Sequence, residues 1–182
     1  MERERFMYAT LVAALGMLVL GTASCAGAQD GTPGGKVLAG GGHAEFGADL
    51  DADGNPDGSY FGLAVDLSGE EPQGHFVCAM WGNTKFMGLP VMGVEGTVEG
   101  GSVAADGTAT LRGTGTVDLG SPDKFYKDVP FEVRVKPGGP GEGTLQLTVI
   151  GTFDGVPGDS QPGNGNYDLP VETIAAGQIV LE

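Results

Sequence analysis

The stretch Val129-Pro130-Phe131-Glu132-Val133-Arg134-Val135-Lys136, followed past Pro137-Gly138-Gly139-Pro140-Gly141 by Thr144-Leu145-Gln146-Leu147-Thr148-Val149-Ile150, decides the fold class. In the first run Val129, Phe131, Val133 and Val135 alternate with Pro130, Glu132, Arg134 and Lys136. In the second, Leu145, Leu147 and Val149 alternate with Thr144, Gln146 and Thr148. Successive side chains of a strand point to opposite faces, so a period of two with one apolar set predicts a strand buried on one side. The Pro/Gly segment between the runs is turn chemistry, which makes them antiparallel neighbours.

The same pattern extends outward along the chain. Thr108–Leu119 puts Ala109, Leu111, Val117 and Leu119 on one face with Gly113 and Gly115. The two glycines there predict a bend or a close backbone approach. Ser59–Leu67 predicts Phe61, Leu63, Val65 and Leu67 inward, and Ala44–Leu50 predicts Ala44, Phe46, Ala48 and Leu50 inward. The end of the chain, Gly177–Leu181, predicts Ile179 and Leu181 inward. His75–Trp81 differs, with Phe76, Cys78 and Met80 on one face and Val77, Ala79 and Trp81 on the other. A strand apolar on both faces is expected to be central or covered by a loop. Asp53-Gly54, Asp57-Gly58 and Asp106-Gly107 are read as tight turns with positive φ. No stretch after the first 28 residues has sustained helical periodicity. The expectation is one all-β domain over residues 37–182, an antiparallel sandwich or barrel of about eight to ten strands. The absence of a fixed-period repeat argues against a propeller or solenoid.

Residues 1–28 read as a cleaved signal peptide. Arg3 and Arg5 precede an uncharged apolar run from Phe6 to Leu20, and Ala26-Gly27-Ala28 is a small-x-small cleavage site. The apolar run is about 15 residues, short of the ~20 that span a bilayer. A second route is open: Thr22-Ala23-Ser24-Cys25 resembles a lipoprotein signal in which Cys25 is lipidated and becomes the first residue, although Thr22 stands where a large aliphatic is usual. Residues 29–36 then form a Gly-containing tether. On either route Cys78 is the one thiol left in the folded domain, which excludes an intramolecular disulfide. The location expected is outside the cell or lipid-anchored to a bacterial envelope.

The net charge is −15, and the export segment contributes equal numbers of arginines and glutamates to it. A chain so acidic is repelled by nucleic acid and by anionic headgroups, leaving a lipid anchor as its contact with a membrane. The same acidity serves solubility. The best local motif is Asp49-Leu50-Asp51-Ala52-Asp53-Gly54-Asn55-Pro56-Asp57. Carboxylates at alternate positions with a glycine at the sixth let one loop wrap a hard cation. Asp49, Asp51, Asp53 and Asp57 would ligate calcium through side chains, and Asn55 through its carbonyl. Tyr60 stands where an EF-hand requires a bidentate glutamate, so the alternative is an acidic hairpin turn.

Catalytic signals are weak. His75 and Cys78 are three apart on a strand and point to opposite faces, so they form no local dyad. No Gly-x-Ser-x-Gly elbow and no phosphate-binding glycine loop occurs. Paired carboxylates for glycoside hydrolysis are available in number, but Glu45 and Glu132 face outward on patterned strands. No catalytic residue is assigned. Trp81, Phe86, Phe125 and Tyr126 lie at or near loops and are candidates for a ligand-stacking surface, or for anchoring those loops.

The segments Gly40-Gly41-Gly42, Phe46-Gly47, Gly74-His75-Phe76-Val77-Cys78, Val94-Glu95-Gly96, Val129-Pro130-Phe131 and Gly177-Gln178-Ile179 together loosely resemble a set of uncharacterised secreted, glycine-rich bacterial β proteins. The resemblance implies export and an all-β fold, and carries no activity. The leading expectation is a non-enzymatic β module with a binding or structural role toward an extracellular or envelope ligand. Two others stay open: a small apolar-ligand carrier with a barrel cavity, and an extracellular polysaccharide hydrolase using paired carboxylates.

Overall fold

The computed structural model describes residues 36–49, 54, 56–81 (Trp81 by its backbone alone) and 92–182. These form nine strands: β1 (Val37–Phe46), β2 (Gly58–Asp66), β3 (Gln73–Trp81), β4 (Gly93–Val103), β5 (Ala109–Asp118), β6 (Phe125–Lys136), β7 (Thr144–Val149), β8 (Tyr167–Asp168) and β9 (Glu172–Leu181). From β1 to β7 each strand pairs antiparallel with the next, β9 pairs with both β7 and β1, and the ring closes. The result is an eight-stranded antiparallel barrel, with β8 as an extra two-residue strand on β7.

Alternation fills the barrel. Phe61, Leu63 and Val65 of β2, Phe76, Cys78 and Met80 of β3, Leu111 and Val117 of β5, Phe131, Val133 and Val135 of β6, and Leu145, Leu147 and Val149 of β7 belong to one buried cluster. Phe76 and Phe131 meet with ring centroids 5.7 Å apart. Burying each such ring stabilises by roughly 2–3 kcal/mol. Phe131 sits where β4 and β5 carry no side chain. A Cβ on Gly113 would lie 2.0 Å from the Thr97 carbonyl oxygen and 2.8 Å from Phe131 Cζ, and one on Gly96 would lie 2.6 Å from Phe131 Cε1. The glycines let two strongly curved strands approach, and the ring fills the space they leave. This is the close approach expected from the glycine pair in β5.

The outer wall over β4–β7 is polar. Glu95, Arg112, Glu132 and Arg134 are exposed or half-buried, and Arg112 Nη2 lies 2.7 Å from Glu132 Oε2. Over these strands an apolar interior with a polar outside is the reverse of what a lipid-facing barrel needs.

Two expectations are corrected and one holds in part. β1 ends at Phe46, so Ala48 is exposed in the loop beyond it rather than inward. β3 is central, paired with β2 on one side and β4 on the other, but its second apolar face is open among the described residues, where Val77 is 39% exposed on the outer wall. Gly58 is not a positive-φ turn residue: it opens β2, where a Cβ would stand 1.9 Å from the Ala44 carbonyl oxygen. β4 and the first half of β1 carry weak patterns because glycine occupies inward positions such as Gly40 and Gly96.

Candidate ligand-binding end of the barrel

Antiparallel order divides the connections between two ends. One end holds the turns 67–72, 104–108 and 137–143, together with the point where the chain enters. There the Val37 amide donates to the Glu182 carbonyl at 2.8 Å, and the Glu182 amide donates back at 2.9 Å. The other end holds the described parts of the connections after β1, β5 and β7, with the end of β3 and the start of β4. Of the residues singled out as calcium or ligand-stacking candidates, Asp49, Asp57, Phe125, Tyr126 and the Trp81 backbone lie at this second end. Asp51, Asp53, Asn55 and Phe86 lie outside the described residues, as do the side chain of Trp81 and the whole export segment with Cys25. The Trp81 backbone pairs with Gly58.

Of the proposed cation ligands, two are described. Asp49 is exposed, and its Oδ2 accepts from the Gly54 amide at 2.7 Å, closing the loop across five residues. Asp57 is 1% exposed, and its carbonyl accepts from the Phe46 amide at 2.8 Å. Among the described residues no group of three or more His, Cys, Asp or Glu side chains is placed to hold a metal ion.

Phe125 and Tyr126 open β6 and are exposed by 45% and 36%. Asp128 has φ of 56°, and the β5–β6 register shifts between Gly115 and Val117, so the tip of β6 leaves the regular wall. Such a bulge redirects side chains. Tyr126 is braced edge-to-face by Phe153 from the long loop, with centroids 5.1 Å apart, and Lys127 Nζ lies 5.9 Å from the Phe125 ring. A shallow groove beside Phe125 is lined by Asp118, Gly120, Ser121 and Pro122.

The long loop between β7 and β9 is ordered by its own acids. Asp154 accepts from the amides of Gly163 at 2.6 Å and Gly165 at 2.9 Å. Asp168 accepts from Thr148 Oγ1 and Asn164 Nδ2, both at 2.7 Å. Burial opposes the charge on Asp159, but the amides of Gly155, Gln161 and Asp168 outweigh it and hold that carboxyl below the usual range. Oxygens that already accept N–H groups order a loop rather than gather round a cation. From sequence, Gly158–Asn166 within this connection reads only as a longer polar loop. The signal available was the recurrence of Asp and Asn beside Gly, each able to capture amides of neighbours that glycine leaves free to turn.

A second feature is not found by sequence reading. Glu172 opens β9 facing inward and is fully buried. Ser59 Oγ donates to its Oε2 at 2.5 Å, while Oε1 is buried without a hydrogen-bond partner among the described residues. Burial pushes the Glu172 carboxyl up to about 7, against the smaller opposing pull of the Ser59 hydroxyl and amide. Burial, with a smaller push from Glu172, raises the Cys78 thiol, so it is not an activated nucleophile. The parity of β9 carries the signal: Ile174 inward implies Glu172 inward.

Chemically, this end offers exposed aromatic faces beside rigid polar loops. Among the outward carboxylates, Glu132 lies against Arg112, Glu95 is 3.1 Å from His75 Nε2, and Glu45 is 3.5 Å from His43 Nε2. His75 and Cys78 do fall on opposite faces, His75 exposed and Cys78 buried. No protein-family model, no curated protein and no solved structure matches the chain.

Proposed function

We propose that this chain is an exported, non-enzymatic binding module of a bacterial envelope, which presents the loop-bearing end of its barrel to an extracellular or envelope ligand. The observation that carries the reading is the exposed pair Phe125 and Tyr126 on that end, with Tyr126 braced by Phe153. Rigid exposed aromatics bind at low entropic cost, and an apolar face on a soluble acidic protein marks contact with a partner. The side chains filling the barrel favour this over a carrier, which needs an internal cavity of roughly 300 Å³ or more. The pairing of outward carboxylates favours it over a hydrolase, which needs two carboxyls facing one cleft.

Cosedimentation of the exported protein with isolated envelopes tests the reading. The double variant Phe125→Ala, Tyr126→Ala is expected to lose at least about tenfold in affinity, as for the loss of two aromatic anchors. Thr144→Ala, on the outer wall, is the control. Binding that is absent in the parent, or equal in both variants, overturns it. In the same preparation Cys25→Ser is expected to release the protein from membranes, and a mature amino terminus at Gln29 would reject lipidation.

Calcium at Asp49–Asp57 belongs to the same end as a further proposal. Chelation is then expected to lower the melting temperature of the parent but not of Asp51→Ala, Asp53→Ala. A melting curve indifferent to chelator ends it.

A further inference from the structure

The barrel is closed unevenly. β9 pairs with β1 along nearly its whole length, from Leu38–Leu181 to Phe46–Glu172. Its other edge meets β7 in two register pairs, Thr144–Thr173 and Leu145–Glu172. Beyond them Pro170 and Val171 interrupt the ladder, which resumes at Leu169 and at Asp168–Thr148. Proline has no N–H to give a ladder, and this is where the interruption falls. On the other side of the two pairs the seam is secured by the β6–β7 turn. Gly138 exchanges hydrogen bonds with Ile179, the Gly141 amide donates to Ile174, and the Ile174 amide donates to Gly143, all at 2.9 Å. The least secured stretch of the closure is therefore the one that holds Glu172.

What surrounds that carboxyl decides its behaviour. Its register partners on β1 and β7 are Phe46 and Leu145, which offer it no polar group. β2 contributes Ser59, and the Cys78 thiol of β3 is near enough for Glu172 to raise it; Asp57, just before β2, is buried and tied to Phe46 through its carbonyl. The buried polar residues among those described are Asp57, Ser59, Asp168 and Glu172, so no buried cation is present to compensate a charge. A neutral carboxyl with one hydroxyl partner is tolerable there. An ionised one would exchange its hydration for Ser59 on one side and apolar groups on the others.

We propose that Glu172 is a pH-sensitive latch on the closing seam: neutral, it packs inside the barrel and holds β9 against β7; ionised, it leaves the interior and the seam opens toward the loop-bearing end. The stretch that opens adjoins the 150–171 connection, which braces Tyr126 through Phe153. An exported module would thereby relax the aromatic end when its surroundings turn alkaline. The latch does not depend on what that end binds.

Amide exchange, corrected for the intrinsic pH dependence of the chemistry, reads the latch in the intact protein. Between about pH 5 and about pH 8, protection at Leu145, Glu172 and Thr173 is expected to fall at least about tenfold relative to Leu111 and Val133 in the β5–β6 ladder. Glu172→Gln keeps the shape without the charge and is expected to abolish that difference. Equal pH dependence at seam and wall in the parent, or an undiminished seam effect in the variant, overturns the latch. Should Glu172→Gln fail to fold, the parent's Glu172 side-chain carbon shift, titrated by NMR, decides it. A midpoint near neutrality that tracks the loss of seam protection supports the latch, and one in the ordinary carboxylate range overturns it.

Discussion

The wall formed by β4, β5 and β6 and the seam between β7 and β9 are both sheet, yet they are built on opposite principles. The wall has long ladders, Gly93–Asp118 to Val103–Ala109 on one side of β5 and Ala109–Val135 to Asp118–Phe125 on the other. Its inner face removes side chains at Gly96 and Gly113 and replaces them with the single ring of Phe131. The seam has two register pairs, a proline interruption and a carboxyl in the core. One region gains by close packing and has no adjustable part. The other contains a group whose charge state sets its stability. The wall's packing holds no titratable group, so a pH response of the barrel starts at the seam.

The harshest way to break this contrast is to fill the wall. Gly113→Val would press new atoms on the Thr97 carbonyl and on Phe131. Backbone is the obstacle, so rotamer adjustment gives no relief. A loss of about 4 kcal/mol or more is expected, beyond the usual range for overpacking because main chain as well as ring must move. Chemical denaturation measures it. A loss under about 1 kcal/mol would mean that β4 and β5 separate easily and that the wall is not the rigid member of the pair.

Glu172→Gln addresses the seam, with the opposite sign. The folded carboxyl is raised to about 7 from 4.5 by burial. A folded value above the unfolded one means that the native state holds the proton more tightly. The stability this supplies is complete below about pH 4.5 and is lost as pH rises through about 7. At about pH 8 the parent has lost on the order of 3 kcal/mol that the amide variant keeps. The variant should therefore melt higher than the parent in mild alkali, with the gap closing toward about pH 4. A constant gap at all pH values would assign the effect to packing, and a variant less stable at every pH would make the carboxyl a structural element of the seam.

The two regions also differed in how they read from sequence. β5, β6 and β7 declare themselves through clean alternation, because Leu111, Val133 and Leu147 stand opposite Arg112, Arg134 and Gln146. β4 is obscured because Gly96, an inward residue, carries no hydrophobic signal, and its inwardness follows only once Phe131 is seen to occupy the space above it. Closure into a barrel rather than a sandwich was not legible: it depends on β9 meeting β7 and β1 together, and no local pattern encodes which edges meet. At the candidate site, the exposed aromatics Phe125 and Tyr126 could be named from their place next to a turn. The bracing of Tyr126 by Phe153, 27 residues further along the chain, could not. Glu172 escaped because an acid is read as a solvated residue by default, and only the parity set by Ile174 contradicts that.

The smallest effect tests the wall's outer face. Arg112 and Glu132 are register partners on β5 and β6, and the ion pair is well formed, with Arg112 Nε also donating to Glu132 Oε2 at 2.8 Å. Its geometry invites the idea that charge pairing holds the wall together. The Arg112 side chain is 63% exposed, however, so water screens the pair and its formation immobilises a long side chain. Arg112→Ala is expected to cost less than about 1 kcal/mol, with the difference shrinking in about 1 M salt as the Debye length falls to ~3 Å. Such a result would assign the wall's stability to its inner face, where Phe131 closes over glycine. A larger, salt-independent loss would move it outward: the arginine stem would then be packing on the sheet surface, and the contrast with the seam would rest on both faces of the wall.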